Sequence, residues 1–307
     1  MPDKACSQRK VRLKRALEKR FPMNLSTTGL RLAPDAAIDL QLHTTYSDGR
    51  WTLEPLFNHL LNEQFGLVAI TDHDCVDTAV SIQQLAGEKQ LPVLVAAEMT
   101  TTWRGEMTDL LCFGFDPAHN TLNDLAHSLL RRQQENSREV YENLQRQGYV
   151  FSPDALSAVL AKPSSQQPHA LVALLKKYGY GLGEPSAGKL VTKAGCTFAT
   201  NDPAAVVEAT HRSGGVCLIA HPGREDGFMT FDVQLLDEFR REVPVDGLEV
   251  YYPLHTPAQT AMYREYAQRY NLLTSAGSDS HGPEKPPIKY RAELCRGLLE
   301  RVGVQIA

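Results

Sequence analysis

The sequence predicts an α/β protein whose strands are buried on both faces and whose chemistry gathers at one end of them. Three observations carry that expectation. Apolar runs of about four to six residues recur along the chain, in AIDLQLH, GLVAITDH, LPVLVAAE, VCLIAHP, GLEVYYP and LLTSAGSDSH, with helix-like segments between many of them. Runs of that kind suit strands covered on both sides, and their alternation with helices marks parallel β/α units. A histidine or carboxylate closes most of the runs, at His43, His73, Glu98, His221, Asp279 and His281. The chain has 307 residues, enough for an α/β barrel, which commonly needs about 250, together with a small inserted unit.

Taken in order, residues 1–35 form a basic N-terminal segment, in which Lys4, Arg9, Lys10, Arg12, Lys14, Arg15, Lys19 and Arg20 face only Glu18 across 4–20. A solvated helix or tail is one reading and RNA contact the other. No apolar core follows the basic stretch, so it does not resemble a secretory signal. Residues 36–118 alternate strand-like and helix-like runs and make a first barrel part. The character changes over 119–201, where HNTLNDLAHSLLRRQQENSREVYENLQRQG, SPDALSAVLAK and PHALVALLKKYG all read as helices, with Ser152 as an N-cap, Pro153 at the first helical position and Gly179 as a stop. Residues 202–307 resume the β/α alternation as a second barrel part.

Composition narrows the class. The 42% hydrophobic and 22% charged content is ordinary for a soluble protein, and no apolar stretch approaches the roughly 18 residues that span a bilayer. Net charge is -4 and the pI is near 6.2, which excludes a globally basic nucleic-acid binder. The six cysteines are scattered without a Cys-x-x-Cys pair. Neither a disulfide framework nor a thiolate zinc site is indicated, and a reducing cytoplasm fits.

Histidine and carboxylate ligands without cysteine favour manganese first, then iron or zinc, and several such groups in one pocket favour two or three divalent ions. Such a cluster suits phosphate esters. Close-spaced cations hold a hydroxide at neutral pH, grip phosphoryl oxygens and neutralise the leaving alkoxide. Asp48 sits with Gly49 in a turn after the first run and can fold back over the site. Arg224, in HPGR, is placed to clamp a phosphate with two donors.

The set HTTYSDG (43–49), TDHD (71–74), Glu98, AHPGR (220–224) and GSDSHG (277–282) resembles the PHP (polymerase and histidinol phosphatase) family over roughly residues 36–300. It most resembles the bacterial branch acting on nucleoside 3',5'-bisphosphates and on the 5' ends of short RNAs. The resemblance implies a distorted seven-stranded (β/α) barrel with a mostly helical insertion and up to three metal ions. It assigns His43, Glu98 and Asp279 to one ion, Glu98 and His221 to a second, and Asp48, His73 and His281 to a third. Two positions depart from the family pattern. Its opening His-x-His is here Gln41-Leu42-His43, and Asp109 stands where a further histidine is usual. Asp109 is a competent ligand, whereas Gln41 offers only a neutral amide oxygen. An arginine two residues before His169 is also replaced, by Gln167. Phosphate contact then falls to Arg224, His169 and His255, with Arg104 and Lys193 as further candidates.

The expected activity is therefore metal-dependent hydrolysis of a small phosphorylated nucleotide or a short RNA, with His281 or His255 protonating the leaving oxygen. Asp72 and Asp74 read either as residues orienting ligands or as turn residues, and Glu249 as a buried hydrogen-bonding carboxylate. His59, His119, His127 and His211 read as structural or solvated, and Cys75 as packing. Two rivals remain: a barrel whose degraded metal site binds a nucleotide or partner without turnover, and an amidohydrolase cleaving a C–N bond. Against the second, no lysine in these motifs suggests a carbamate bridge.

Overall fold

The computed structural model describes residues 25–307. The basic run over 4–20 lies outside the described residues. Two sheets organise the chain. One is ordered β12-β2-β3-β4, from Tyr290–Arg291 (β12), Ala37–Leu42 (β2), Leu67–Ile70 (β3) and Val93–Leu94 (β4). The other is ordered β11-β10-β9-β8-β5, from Leu273–Ala276 (β11), Gly247–Tyr251 (β10), Val216–Ile219 (β9), Leu110–Phe113 (β8) and Ala96–Met99 (β5). Short strands β1 (Arg31–Leu32) and β13 (Gln305–Ile306) pair in parallel, and β6 (Thr102–Trp103) with β7 (Glu106–Met107) forms a hairpin between β5 and β8.

The ladders do not close into one barrel. The chain passes from the first sheet to the second at Val95, between β4 and β5, and single bridges join the sheets elsewhere, at Leu42 with Ser280 and His73 with Glu98. The backbone explains the interruption. Asp74 and Asp279 take φ values of 52° and 54°, in the left-handed region where an extended ladder cannot continue. One further departure from parallel β/α units is β8, antiparallel to both β5 and β9. Only a hairpin, with no helix, connects β5 to β8, and so short a link cannot make the crossover that parallel pairing requires.

The double burial expected of the strands is found. Ile38, Leu40, Leu67, Ala69, Leu111, Phe113, Leu218 and Ala276 share one cluster between the sheets. On the outer faces, Leu42, Val68, Ile70 and Val93 pack under α1 (Leu53–Asn62) and α2 (Ala79–Lys89). Likewise Ala97, Met99, Leu110, Ile219, Leu248 and Val250 pack under α7 (Pro203–Arg212), α8 (Val233–Glu242) and α9 (Pro257–Tyr270). Full burial of each aliphatic side chain is worth about 1.5–3 kcal/mol, so these layers hold the strand ends where the site is built.

Residues between β8 and α7 are helical: α3 (Leu122–Arg146), α4 (Ala155–Leu160), α5 (Gln167–Lys177) and α6 (Ala187–Lys193). The long α3, about 37 Å at the usual rise, straddles two cores. Leu122 and Ala126 pack with the sheet, whereas Val140 and Leu144 join Phe151, Leu171, Leu175 and Leu190 in a separate cluster. The N-cap of α4 is Asp154 rather than Ser152, because residues 152–155 close a turn in which Ala155 N donates to Ser152 O. A final helix α10 (Arg296–Arg301) packs Leu298 and Leu299 against the inner cluster. Among the described residues no helix is long and apolar enough to cross a membrane.

Candidate metal centre

The strands deliver their polar residues to one rim. His43 follows β2, Thr71–Asp74 follow β3, His221 follows β9, and Asp279 and His281 follow β11, while Glu98 lies within β5. Asp109 precedes a strand instead of following one. Because β8 runs antiparallel to β5 and β9, its starting end meets the finishing ends of the parallel strands, and Ala220 N donates to Asp109 O there.

Glu98 is the hub. Its Oε2 lies 3.1 Å from His43 Nε2 and 3.9 Å from His73 Nε2, and its Oε1 lies 3.1 Å from His221 Nε2. His43 Nε2 is also 3.2 Å from Asp279 Oδ1. Asp48 Oδ2 reaches His281 Nε2 at 3.4 Å and His73 Nε2 at 3.9 Å. The rings of His43 and His281 stack at 4.1 Å between centroids. Three sets have ligand atoms within 4.8 Å of one another: His43, Asp48, His73 and His281; His43, Glu98 and Asp279; and His73, Glu98 and Asp109.

These side chains fit divalent cations on a structural ground. Both ring nitrogens of His43 and Nδ1 of His73 are buried without a hydrogen-bond partner, although carboxylate oxygens stand close to His43. Unpaired polar atoms in a dry site are costly. Aligned on a shared cation they would be satisfied, and the carboxylates would cease to repel one another. Burial alone would raise Glu98, but His73, His221 and His43 outweigh it and hold that carboxyl well below its usual range. Asp109 moves the opposite way, pushed well up by burial and then by the charges of Glu98 and Asp74.

The backbone is shaped for this convergence. His221 has φ 26°, and Asp74 and Asp279 are also left-handed; strained non-glycine residues persist where surrounding structure enforces them. At Gly49 any Cβ would sit 2.5 Å from the His43 carbonyl carbon, so glycine lets the Asp48 turn fold onto His43. A Cβ at Gly277 would meet Gln41 Cβ at 2.4 Å and Glu249 Oε1 at 2.7 Å.

Other residues hold the candidate ligands in place. Asp72 accepts from Thr44 N, Thr44 Oγ1 and Ser47 Oγ, each at 2.7 Å, and so ties down the 44–47 loop. Asp74 accepts from Thr100 N at 3.1 Å, and burial takes its carboxyl up to about 7. Glu249 Oε2 accepts from His221 N at 3.0 Å, the buried role expected of it. Two contributors escaped the sequence reading. Asp39, buried within β2, accepts from Ser278 N and Ile288 N and anchors the Asp279 loop; its signal was a carboxylate inside an apolar run. Tyr252 donates to Asp279 Oδ2 at 3.3 Å, and nothing local marked it.

A cleft of about 450 Å3 opens over Asp48, His73, Asp74, Asp109 and His281, with Arg224, His169 and Phe228 in its walls. Arg224 Nη1 lies 3.7 Å from Asp279 Oδ2, and its guanidinium sits 4.2 Å over the Phe228 ring. Three expected contacts fall elsewhere. Arg104, at the β6–β7 turn, pairs with Glu238 and Glu242 on the surface, since that hairpin carries it toward α8. Lys193 is exposed at the end of α6 and does not line the cleft. His255 is enclosed: its Nε2 accepts from Gly223 N at 3.0 Å and its Nδ1 faces Val250 O at 3.1 Å. Burial lowers its pKa to about 4, so it is a neutral, fully bonded residue that supports the 221–224 turn and cannot serve as the leaving-group acid. Gln167 is buried, joining Ser137 to the Lys162 carbonyl, and takes no part in the cleft wall.

His59 stacks on Trp51, and His119, His127 and His211 pair with surface aspartates. Cys75 Sγ contacts the Tyr46 carbonyl.

Metal removal has a pH signature. An acid whose folded pKa exceeds its unfolded value stabilises the fold fully below the unfolded value and loses that contribution as pH rises through the folded one. For Asp74 the window runs from 3.8 to about 7, and Asp109 moves in the same direction. A cation held by His73, Glu98 and Asp109 would offset this penalty, and imidazole ligands bind a cation only when deprotonated. The rise in Tm caused by manganese should therefore be larger at about pH 8 than at about pH 5, and scanning calorimetry showing equal rises would contradict it.

The fold and the His/Asp/Glu set are those of a metal-dependent phosphoesterase. No family model matches the chain. It is 25% identical over 252 residues to 3',5'-nucleoside bisphosphate phosphatase of Chromobacterium violaceum, covering 81% of this chain and 88% of that one. It is 26% identical over 262 residues to 5'-3' exoribonuclease Rnm of Salmonella typhimurium, covering 80% and 85%. The fold matches a crystal structure from Bifidobacterium adolescentis, assigned as a metal-dependent phosphoesterase, with TM-score 0.69 and 24% identity over 88% of this chain and 98% of that one. The chain thus resembles a known phosphatase and a known exoribonuclease in sequence, and a metal-dependent phosphoesterase in fold.

Proposed function

We propose that this protein uses two or three divalent ions, manganese foremost, to hydrolyse phosphate esters of nucleotides: the terminal phosphate of a nucleoside 3',5'-bisphosphate, or the 5' end of a short RNA. The observation that carries the reading is the sharing of Glu98, His43 and His73 among three ligand sets that open onto one cleft beside Arg224. When bound, the ions supply an activated water at neutral pH and offset the charge of the phosphoryl group.

In this reading His43, Asp48, His73, Glu98, Asp109, His221, Asp279 and His281 hold the ions. The Arg224 fork and His169 grip phosphoryl oxygens, the first as a charged two-donor clamp. His281 donates Nδ1–H to the Asp279 carbonyl at 2.9 Å, which leaves Nε2 facing Asp48 as a ligand. In this reading the seven principal strands, with β4 and β5 counted as one bent strand, make a distorted barrel whose two sheets are joined by single bridges instead of continuous ladders, and residues 119–201 make a helical unit walling the cleft. A cytoplasmic site of action accords with the free cysteines.

Release of inorganic phosphate from adenosine 3',5'-bisphosphate, with and without added manganese, tests the proposal. Turnover that appears with metal and vanishes with chelator is expected, and no turnover with manganese, iron or zinc would overturn it.

A binding-only barrel has one observation in its favour. Gln41 Nε2 donates to Glu98 Oε2 at 3.0 Å, where a cation ligand would compete, while Gln41 Oε1 is buried and unpartnered. Gln41→His should raise the metal content of the purified protein, read by elemental analysis. Unchanged content would remove position 41 from the ligand sphere.

A further inference from the structure

The fork of Arg224 that suits a phosphate is engaged by a carboxylate of the same loop. Its Nε and Nη2 donate to the two carboxylate oxygens of Asp226, at 2.6 Å and 3.3 Å, and its Nη1 stands 3.7 Å from Asp279 Oδ2. The side-by-side N–H groups that grip a carboxylate are the ones that grip two phosphoryl oxygens. Asp226 is the middle residue of a tight turn in which Gly227 N donates to Glu225 O at 2.8 Å, and it lines the metal cleft together with Arg224 and Phe228.

We infer that Asp226 competes with phosphate for the Arg224 fork, and so loosens the hold of the cleft on the substrate and on the inorganic phosphate released from it. The inference rests on the phosphoesterase reading above and adds to it a residue that lets the product go. The plainer role, holding Arg224 in position, is filled by other contacts. Arg224 N donates to His221 O at 2.9 Å, and Thr230 Oγ1 donates to Arg224 O at 2.7 Å, so the backbone is tied at both of its polar groups. The guanidinium lies 4.2 Å over the Phe228 ring, and that ring meets His221 edge to face at 5.0 Å. Asp226 adds a charge to a side chain that these contacts already place. Its own side chain is 68% exposed against 24% for Arg224, and an ion pair with so open a member is weakly held. The other carboxylates lining the cleft have different partners: Asp48 and Asp109 belong to the ligand sets, and Asp74 accepts from Thr100 N. Parting the Arg224–Asp226 pair costs the same whether substrate, transition state or product takes the fork. Asp226 therefore raises KM and eases phosphate release without changing the barrier from bound substrate.

The test uses the full chain with manganese, inorganic phosphate as the probe, and a cycle of four proteins: wild type, Asp226→Asn, Arg224→Ala and the double variant. Calorimetric titration reads the phosphate affinity. Asp226→Asn should bind phosphate about three- to tenfold more tightly, and in the Arg224→Ala background the same change should move affinity about twofold or less, because Asp226 acts through the guanidinium. In hydrolysis of adenosine 3',5'-bisphosphate, Asp226→Asn should lower KM by a similar factor without raising kcat. Weaker phosphate binding by Asp226→Asn would show that the carboxylate serves to orient Arg224, and would overturn the competition. Equal binding, or binding by neither protein, would overturn it too, as would an equal gain in both backgrounds, which would leave Asp226 a source of general repulsion. The exposed position should accept an amide without loss of fold, as circular dichroism would verify. Wild-type protein that binds phosphate and hydrolyses nothing would count against the phosphoesterase reading alone, since the cycle of affinities still decides the role of Asp226.

Discussion

Glu98→Gln should abolish metal-dependent turnover, with kcat/KM down about 10³-fold or more, and should lower metal content in the same preparation. The size follows from position. Glu98 stands in two of the three ligand sets and contacts His43, His73 and His221, so removing its charge weakens adjacent sites together. A glutamine of the same shape keeps a hydrogen-bonding group at this fully buried position, and the fold should survive. Elemental analysis separates the two contributions. A variant that retains its metals and its activity would show that Glu98 is no ligand.

Arg224→Ala should lower kcat/KM by about 10²–10³-fold while leaving metal content unchanged. The guanidinium lies in the cleft wall, stacked on Phe228 and held by Asp226 at 2.6 Å, and its nearest ligand contact is the 3.7 Å approach to Asp279. Its loss removes a positive clamp on the phosphoryl group without removing a metal ligand. Arg224→Lys should recover only part of the activity, because an ammonium keeps the charge and loses the two-donor fork. Wild-type kinetics in the alanine variant would move phosphate contact to another residue.

Much of this centre was legible in the amino-acid order. His43, Glu98, His221 and Asp279 each lie in or directly after an apolar run, and a strand covered on both faces must place such residues at its ends or in a polar site. The helical stretch between the two strand-rich parts was equally readable, because periodic patterns with strong stop signals are local properties. His255 and Arg104 looked similar to true cleft residues in sequence. They separated only in space, where one is bonded at both ring nitrogens and the other points to α8. Tyr252 and Asp39 went unnoticed for the reverse reason, since their partners lie 27 residues away at Asp279 and 239 residues away at Ser278.

By itself the sequence determined the strand-and-helix alternation and the chemical kind of the site, because side-chain type and periodicity are set residue by residue. Tertiary structure alone decided that β8 turns against its neighbours and brings Asp109 to the rim, and that the ladders stop short of a closed barrel. Those outcomes depend on which distant segments pack together, and hairpin length, left-handed backbone at Asp74 and Asp279, and shared burial settle them only once the whole chain has folded.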